Sequence, residues 1–179
     1  MANPLPIDLS GPVSKNAAIE LFDACPPATS EHLIGRWRGL GLETGHPMDG
    51  MLEASYWRGK EFRDVDTVFP LLHEVPLWGE MCLNPARLPI DLVTAVPWRD
   101  RVLPVVFPVL APLFRTRHPR ACLRDVTFRG RLHAAMIYDD VPIMDYFARL
   151  GPDHLLGWMQ RRGDDLPFFF QLTREVPTS

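Results

Sequence analysis

Two groups of side chains carry residue types that could move protons. His46 and Asp49 lie three residues apart at an expected helix start, and Glu53 follows one turn on. Two carboxylates on adjacent turns repel when both are ionised, so burial would leave one protonated as an acid and the other as a base. His46 would be the partner base, or would fix the second carboxylate by a hydrogen bond. In the second group, Tyr138, Asp139, Asp140 and Asp145 bracket one hairpin. Tyr138 shares a strand face with Ala134 and Met136, which aims its hydroxyl at a cavity where a buried aspartate could supply a proton or orient the phenol. Each group also has a plain structural reading. Asp49 would favour a helix N-terminus, Glu53 would face water, and Asp140-Val141-Pro142 would simply reverse the chain.

The remaining chemistry is sparse. His73, His118, His133 and His154 show no metal spacing, and no metal site is expected. His46 or His73 could serve as an axial haem ligand, which keeps a haem-binding barrel as an alternative to a cofactor-free protein. There is no CxxCH, phosphate-binding glycine loop, GxSxG or HExxH. Trp37, Trp57, Trp78, Trp158, Phe168, Phe170, Met136 and Met159, with Glu43 as a polar member, would line an apolar chamber.

The elements that must hold these residues are mostly strands. Period-two alternation marks 120–129, 131–139, 142–149, 154–161 and 167–174, separated by hairpin-length turns. An earlier strand is expected over 35–43, with Trp37, Gly39, Gly41 and Glu43 on one face, and short strands near 60–62, 71–75 and 77–83. Helices are expected at 14–23, capped by Ser14, and at 48–57, with Pro47 in the first turn and Met48, Met51, Leu52 and Tyr56 as its apolar stripe. Ser30 would cap a further turn over 31–34. Pro104, Pro108 and Pro112 make 102–114 either a kinked helix or an extended connector.

The fold class is therefore mainly β: an antiparallel, lipocalin-like curled or closed barrel with short covering helices at one end. Residues 1–30 form an arm and helix, and residues 31–174 a single domain. Within that domain 31–83 is the Gly-x-Trp block, 84–119 a proline-rich connector and 120–174 a C-terminal meander. The 179 residues are 46% hydrophobic and 23% charged, which excludes a disordered chain. Nineteen prolines, roughly twice ordinary usage, argue against a long-helix bundle. A net charge of −3 gives no global attraction to nucleic acid or anionic membrane. One basic run, Arg115 to Arg131, reads as a solvated strand face or an anion site. Three scattered cysteines fit reduced thiols in a cytoplasmic protein, and no signal peptide or membrane span is evident.

Gly35-Arg36-Trp37-Arg38-Gly39, Thr44-Gly45-His46-Pro47-Met48-Asp49-Gly50 and Met136-Ile137-Tyr138-Asp139-Asp140 resemble bacterial proteins that join a small domain, named for a G-x-W-x-x-x-E pattern, to a second domain of unknown function. Trp78-Gly79, Asn84-Pro85 and Pro167-Phe168-Phe169-Phe170 extend the resemblance over about 31–174. The glutamate of that pattern would fall at Gly41, and Glu43 is placed to substitute for it. The Gly-x-Trp strand after a short helix is also similar to lipocalin-type and nitrobindin-type barrels, which enclose hydrophobic ligands or haem.

Together these point to a cofactor-independent isomerase or lyase acting by acid–base chemistry on a small hydrophobic oxygenated molecule, of the terpenoid epoxide or enone class. His46, Asp49, Glu53, Tyr138, Asp139 and Asp140 are the catalytic candidates. The alternative is a non-catalytic carrier or sensor of such a ligand, or of haem. No nucleic acid or membrane partner is expected, and a homodimer is possible.

Overall fold

The C-terminal alternation produces five antiparallel strands close to their expected limits: β6 (Ala121–Phe128), β7 (Arg131–Tyr138), β8 (Ile143–Gly151), β9 (His154–Arg161) and β10 (Phe168–Arg174). The computed structural model describes residue 9 and residues 11–96 and 98–176, so most of the expected N-terminal arm lies outside the described residues. Before the meander come β1 (Gly35–Gly41), β2 (Trp57–Phe62) and β3 (Val68–Val75). The order β2-β1-β10-β9-β8-β7-β6-β3, with β3 pairing back onto β2, closes an eight-stranded antiparallel barrel. The fold class expected from the sequence is the one observed.

β3 can serve three neighbours because its edge is divided. Val68 pairs with Ala121 of β6, whereas Leu72 to Val75 pair with β4 (Gly79–Leu83), which carries the two-residue β5 (Arg115–Thr116) beyond it. β4 and β5 thus form a flap outside the closed barrel.

The helices divide the work differently from the expectation that they cover one end. α1 (Lys15–Ala24), capped by Ser14, lays Ala18, Leu21 and Phe22 on the outer wall, against Tyr146, Trp158 and Phe169. α2 (Ser30–Leu33) takes Thr29, not Ser30, as its cap, and Leu33 belongs to the barrel core. The helix expected over 48–57 is only one turn, α3 (Met51–Ala54). Gly50 and Tyr56 on either side have φ of 77° and 59°, which no continuous helix accommodates.

α4 (Ile90–Thr94) and α5 (Arg99–Phe114) complete the cap over α3, and α5 is helical despite its three prolines. Pro108 and Pro112 lack the N–H groups that would bond the carbonyls of Pro104 and Pro108. Those two carbonyls accept instead from Tyr56 Oη at 3.0 Å and Trp78 Nε1 at 2.9 Å. The prolines have thereby turned helix acceptors into tethers. Phe107 and Ala111 pack on Val75, Met81 and Leu83, while Val105, Val109 and Leu113 are exposed.

Candidate functional site

A break in alternation brings a cation inside the barrel. Strict period two along β2 would put Trp57, Gly59 and Glu61 on one face. The β2–β3 register slips between Trp57 and Gly59 and again between Gly59 and Glu61. Gly59 has φ 147°, and a Cβ there would lie 1.9 Å from the Trp37 carbonyl oxygen, so only glycine fits. Trp57 before the bulge and Lys60 and Phe62 after it are therefore all buried, and Glu61 pairs with Arg63 on the outside.

Lys60 Nζ lies 2.9 Å from Asp145 Oδ2, 3.4 Å from the Tyr138 hydroxyl and 3.3 Å from the Pro70 carbonyl. The rings of Phe170, Trp57 and Tyr138 surround it at 4.9, 5.4 and 5.7 Å. Asp145 is 0% exposed, and its carboxylate faces both the Lys60 ammonium and the Tyr138 hydroxyl. Burial pulls the Lys60 ammonium below its ordinary range and pushes the Asp145 carboxyl up, each opposed by the attraction of the other. Burial, reinforced by the Asp145 charge, pushes the Tyr138 phenol well up, so it stays a donor at neutral pH.

This cluster lines a cavity of about 80 Å³ with Met159, Phe168 and Phe170. An apolar groove of about 200 Å³ under α4 and α5 adjoins that cavity and shares Met51, Ser55, His73, Leu88 and Ile90 with it as common walls of the recess. His73 Nε2 stands 3.5 Å from Ser55 Oγ, and desolvation lowers the imidazole to about 4. Arg161 ties the rim by bonding Asp91 of α4 at 2.7 Å and Asp164 at 3.0 Å.

Of the residues expected from sequence, Tyr138, Met136, Trp57, Phe168 and Phe170 are buried inside the barrel. Trp37 is inside too, but away from the cavity, with Nε1 donating to the Leu33 carbonyl at 2.7 Å. The others are placed elsewhere. Asp49 Oδ2 accepts from the amides of Thr44, Gly45 and His46 at 2.7–2.9 Å, so this carboxylate shapes a loop. His46 Nδ1 accepts from the Met48 amide at 3.0 Å, and burial lowers its basicity. Glu53 accepts from the Gly41 amide at 2.7 Å. Its carboxylate occupies the space beside Gly41, where a Cβ would meet Oε1 at 3.1 Å.

Glu43 is exposed beyond the end of β1 and does not stand in for an acid at 41. Asp139 and Asp140 lie exposed in the hairpin turn, with Asp140 bonded to Arg120 at 3.0 Å. Trp78 is 56% exposed and bound to α5, and Trp158 faces α1 on the outer wall. In the basic run, Arg120, Arg124 and Arg129 bond Asp140, Asp66 and Asp23, and Arg131 donates to the Phe22 carbonyl. Burial raises the Cys25 and Cys82 thiols, opposite to what a nucleophile requires.

Lys60 was missed, and a signal for it exists. Only Lys15 and Lys60 are lysines among 19 basic residues, and Lys60 sits in a strand between Gly59 and Phe62. A chain that otherwise uses arginine has placed here the one cation that can readily lose its proton. Asp145 is in phase with Ile143 and Phe147 and was readable as buried.

Fold and site define a closed antiparallel barrel with an internal lysine–aspartate–tyrosine cluster at the end of an apolar recess. The GXWXG protein model matches residues 20–75 and the Domain of unknown function (DUF4334) model residues 119–174. A protein from Thermomonospora curvata with a solved crystal structure shares 30% identity over 93% of this chain and 90% of its own, with a TM-score of 0.70. The chain belongs to the family that joins these two domains.

Gly35, Trp37 and Gly39 satisfy the pattern in the first domain's name, so an acid at 41 is not part of it. No curated protein matches the sequence. The two models divide one barrel, since β1 pairs with β10 and β3 with β6 across them. The first supplies Lys60, the second Tyr138 and Asp145, and residues 76–118 between them form most of the cap. Among the described residues no helix is long and apolar enough to cross a membrane.

Proposed function

We propose that the protein is a cofactor-independent isomerase or lyase for a small hydrophobic oxygenated molecule of the terpenoid epoxide or enone class. The observation that carries this reading is the fully buried Lys60–Asp145 pair with Tyr138, set in the wall of an apolar recess. A buried ion pair contributes little net stability against an apolar replacement, so its presence here is better explained by chemistry than by folding.

The ligand's hydrocarbon body would fill the recess beside Phe168 and Met159, with its oxygen reaching the Tyr138 hydroxyl and Lys60 ammonium. These donors stabilise negative charge developing on an epoxide or carbonyl oxygen. Asp145, held between Lys60 and Tyr138, removes a proton from the neighbouring carbon. That proton is returned to another carbon in an isomerisation, or to the opened oxygen in epoxide cleavage, so no net proton is consumed.

His46, Asp49 and Glu53 support the loop and strand instead of reacting. His46 is engaged within its loop, so the haem alternative rests on His73, which reaches the recess.

The test is incubation with terpenoid epoxides and enones without added cofactor. Asp145→Asn and Tyr138→Phe should keep ligand affinity and lower turnover about 100-fold or more. Retained turnover in both variants would contradict the assignment. Binding without turnover in the wild type would make the protein a carrier, and a Soret band lost in His73→Ala would make it a haem protein.

A further inference from the structure

We propose that Lys60 is a Schiff-base nucleophile, so that the recess takes a hydrophobic aldehyde or ketone and holds it covalently as an iminium ion. The inference rests on the reading of the recess as the site of an oxygenated hydrophobic ligand, and it narrows that ligand to a carbonyl compound.

The geometry supplies each requirement. Nζ lies in the cavity wall beside one proton acceptor, Asp145 Oδ2 at 2.9 Å, and one hydroxyl, Tyr138 at 3.4 Å. Three aromatic rings surround Nζ within 5.7 Å. They stabilise an iminium as they do an ammonium, because both are cations on the same nitrogen. The apolar wall limits water, which would otherwise return the iminium to the free carbonyl compound. Arginine cannot perform this reaction, which gives a reason for a lysine in a chain with 17 arginines.

The step balances within the cluster. The ammonium passes one proton to Asp145 and becomes an amine, favoured by burial of both groups. The amine attacks the carbonyl carbon, a C–N bond forms, and the C=O π pair moves to oxygen. A proton from the new N–H reaches that oxygen through the Tyr138 hydroxyl, giving a carbinolamine. Asp145 then returns its proton, the hydroxyl leaves as water, and the iminium faces an Asp145 carboxylate again. With an enone or enal, that carboxylate is placed to remove the acidified carbon-bound proton, which links the adduct to double-bond migration.

The experiment uses the full chain and its Lys15→Arg variant, in which Lys60 is the one remaining lysine. Each is incubated with cinnamaldehyde, first alone and then with sodium cyanoborohydride, followed by peptide mapping. The inference expects a red-shifted iminium absorbance before reduction, and a secondary amine on Lys60 formed about tenfold faster than on the N-terminal amine. Adducts confined to Lys15 or the N-terminus, with Lys60 unmodified, would overturn it.

The two readings fail separately. Unmodified Lys60 with turnover lost in Asp145→Asn leaves acid–base catalysis standing and removes the Schiff base. Trapping at Lys60 in a protein that converts no enone or epoxide keeps the Schiff base and removes the isomerase.

Discussion

The interior of this barrel has two unlike halves. Around α2 it is filled: Leu33, Trp37, Phe62, Phe147, Leu155 and Leu172 are at most 1% exposed, and the Trp37 indole N–H has its carbonyl partner. Towards the cap the same sheet encloses a recess, a buried ion pair, and a second tryptophan, Trp57, whose buried indole N–H has no hydrogen-bond partner. Folding alone would fill both halves alike, because an unfilled core and an unpartnered polar atom each lower stability. The difference teaches that close packing is concentrated in one half, and that the other, where the proposed chemistry is placed, keeps open space and buried polar groups. Gly39 joins the two, since a Cβ there would lie 2.1 Å from the Trp57 ring, and its absence lets that ring stand beside Lys60.

Among single substitutions that leave the Lys60–Asp145 pair intact, the largest effects should come from the filled half. Trp37→Ala removes an indole that is 1% exposed and bonded to the Leu33 carbonyl, away from the cavity, and should cost about 3–5 kcal/mol in chemical denaturation. Turnover by the molecules that remain folded should be little altered. If turnover fell instead while stability held, the division into two halves would be wrong.

The next effect sharpens the contrast through pH. His73 is 2% exposed and titrates at about 4 in the folded protein against an ordinary value of 6.5. Between these values the unfolded chain binds a proton that the folded one does not, so stability falls as pH drops from 6.5 to 4. The loss amounts to about 3 kcal/mol for this one residue. His32, His46 and His133 are lowered as well and act in the same direction. Denaturation midpoints at pH 7 and pH 4.5 should converge in His73→Leu, and an unchanged pH dependence would place the acid sensitivity elsewhere. The smallest expected effect is that of Tyr138→Phe on stability, about 1 kcal/mol, in a variant whose chemistry should nevertheless be impaired.

How much of this was legible in the sequence depended on whether alternation ran unbroken. The strands of 120–174 were readable because period two holds along them apart from one register shift at Arg149/Gly151 by the β8–β9 turn, and Tyr138, Met136, Phe168 and Phe170 were placed inside for that reason. Lys60 was hidden because the bulge at Gly59 reverses the phase of β2, a consequence of one close backbone contact that no pattern announces. His46, Asp49 and Glu53 sat at plausible spacing, yet backbone amides claimed their side chains. Short polar residues near glycine turns commonly satisfy the backbone before anything else. Trp78 was expected in the chamber wall and Tyr56 on a helix stripe, but the carbonyls left open by the prolines of α5 bind both.

The central claim is that the Lys60–Asp145 pair serves chemistry and not folding, and one double substitution tests it directly. Lys60→Met or Asp145→Leu alone leaves a buried charge unpaired and should lower stability by about 3–5 kcal/mol. The double variant Lys60→Met/Asp145→Leu removes both charges and should match or exceed the wild type in urea denaturation while losing enone and epoxide conversion. A double variant several kcal/mol less stable than the wild type, or one that still converts substrate, would contradict the account.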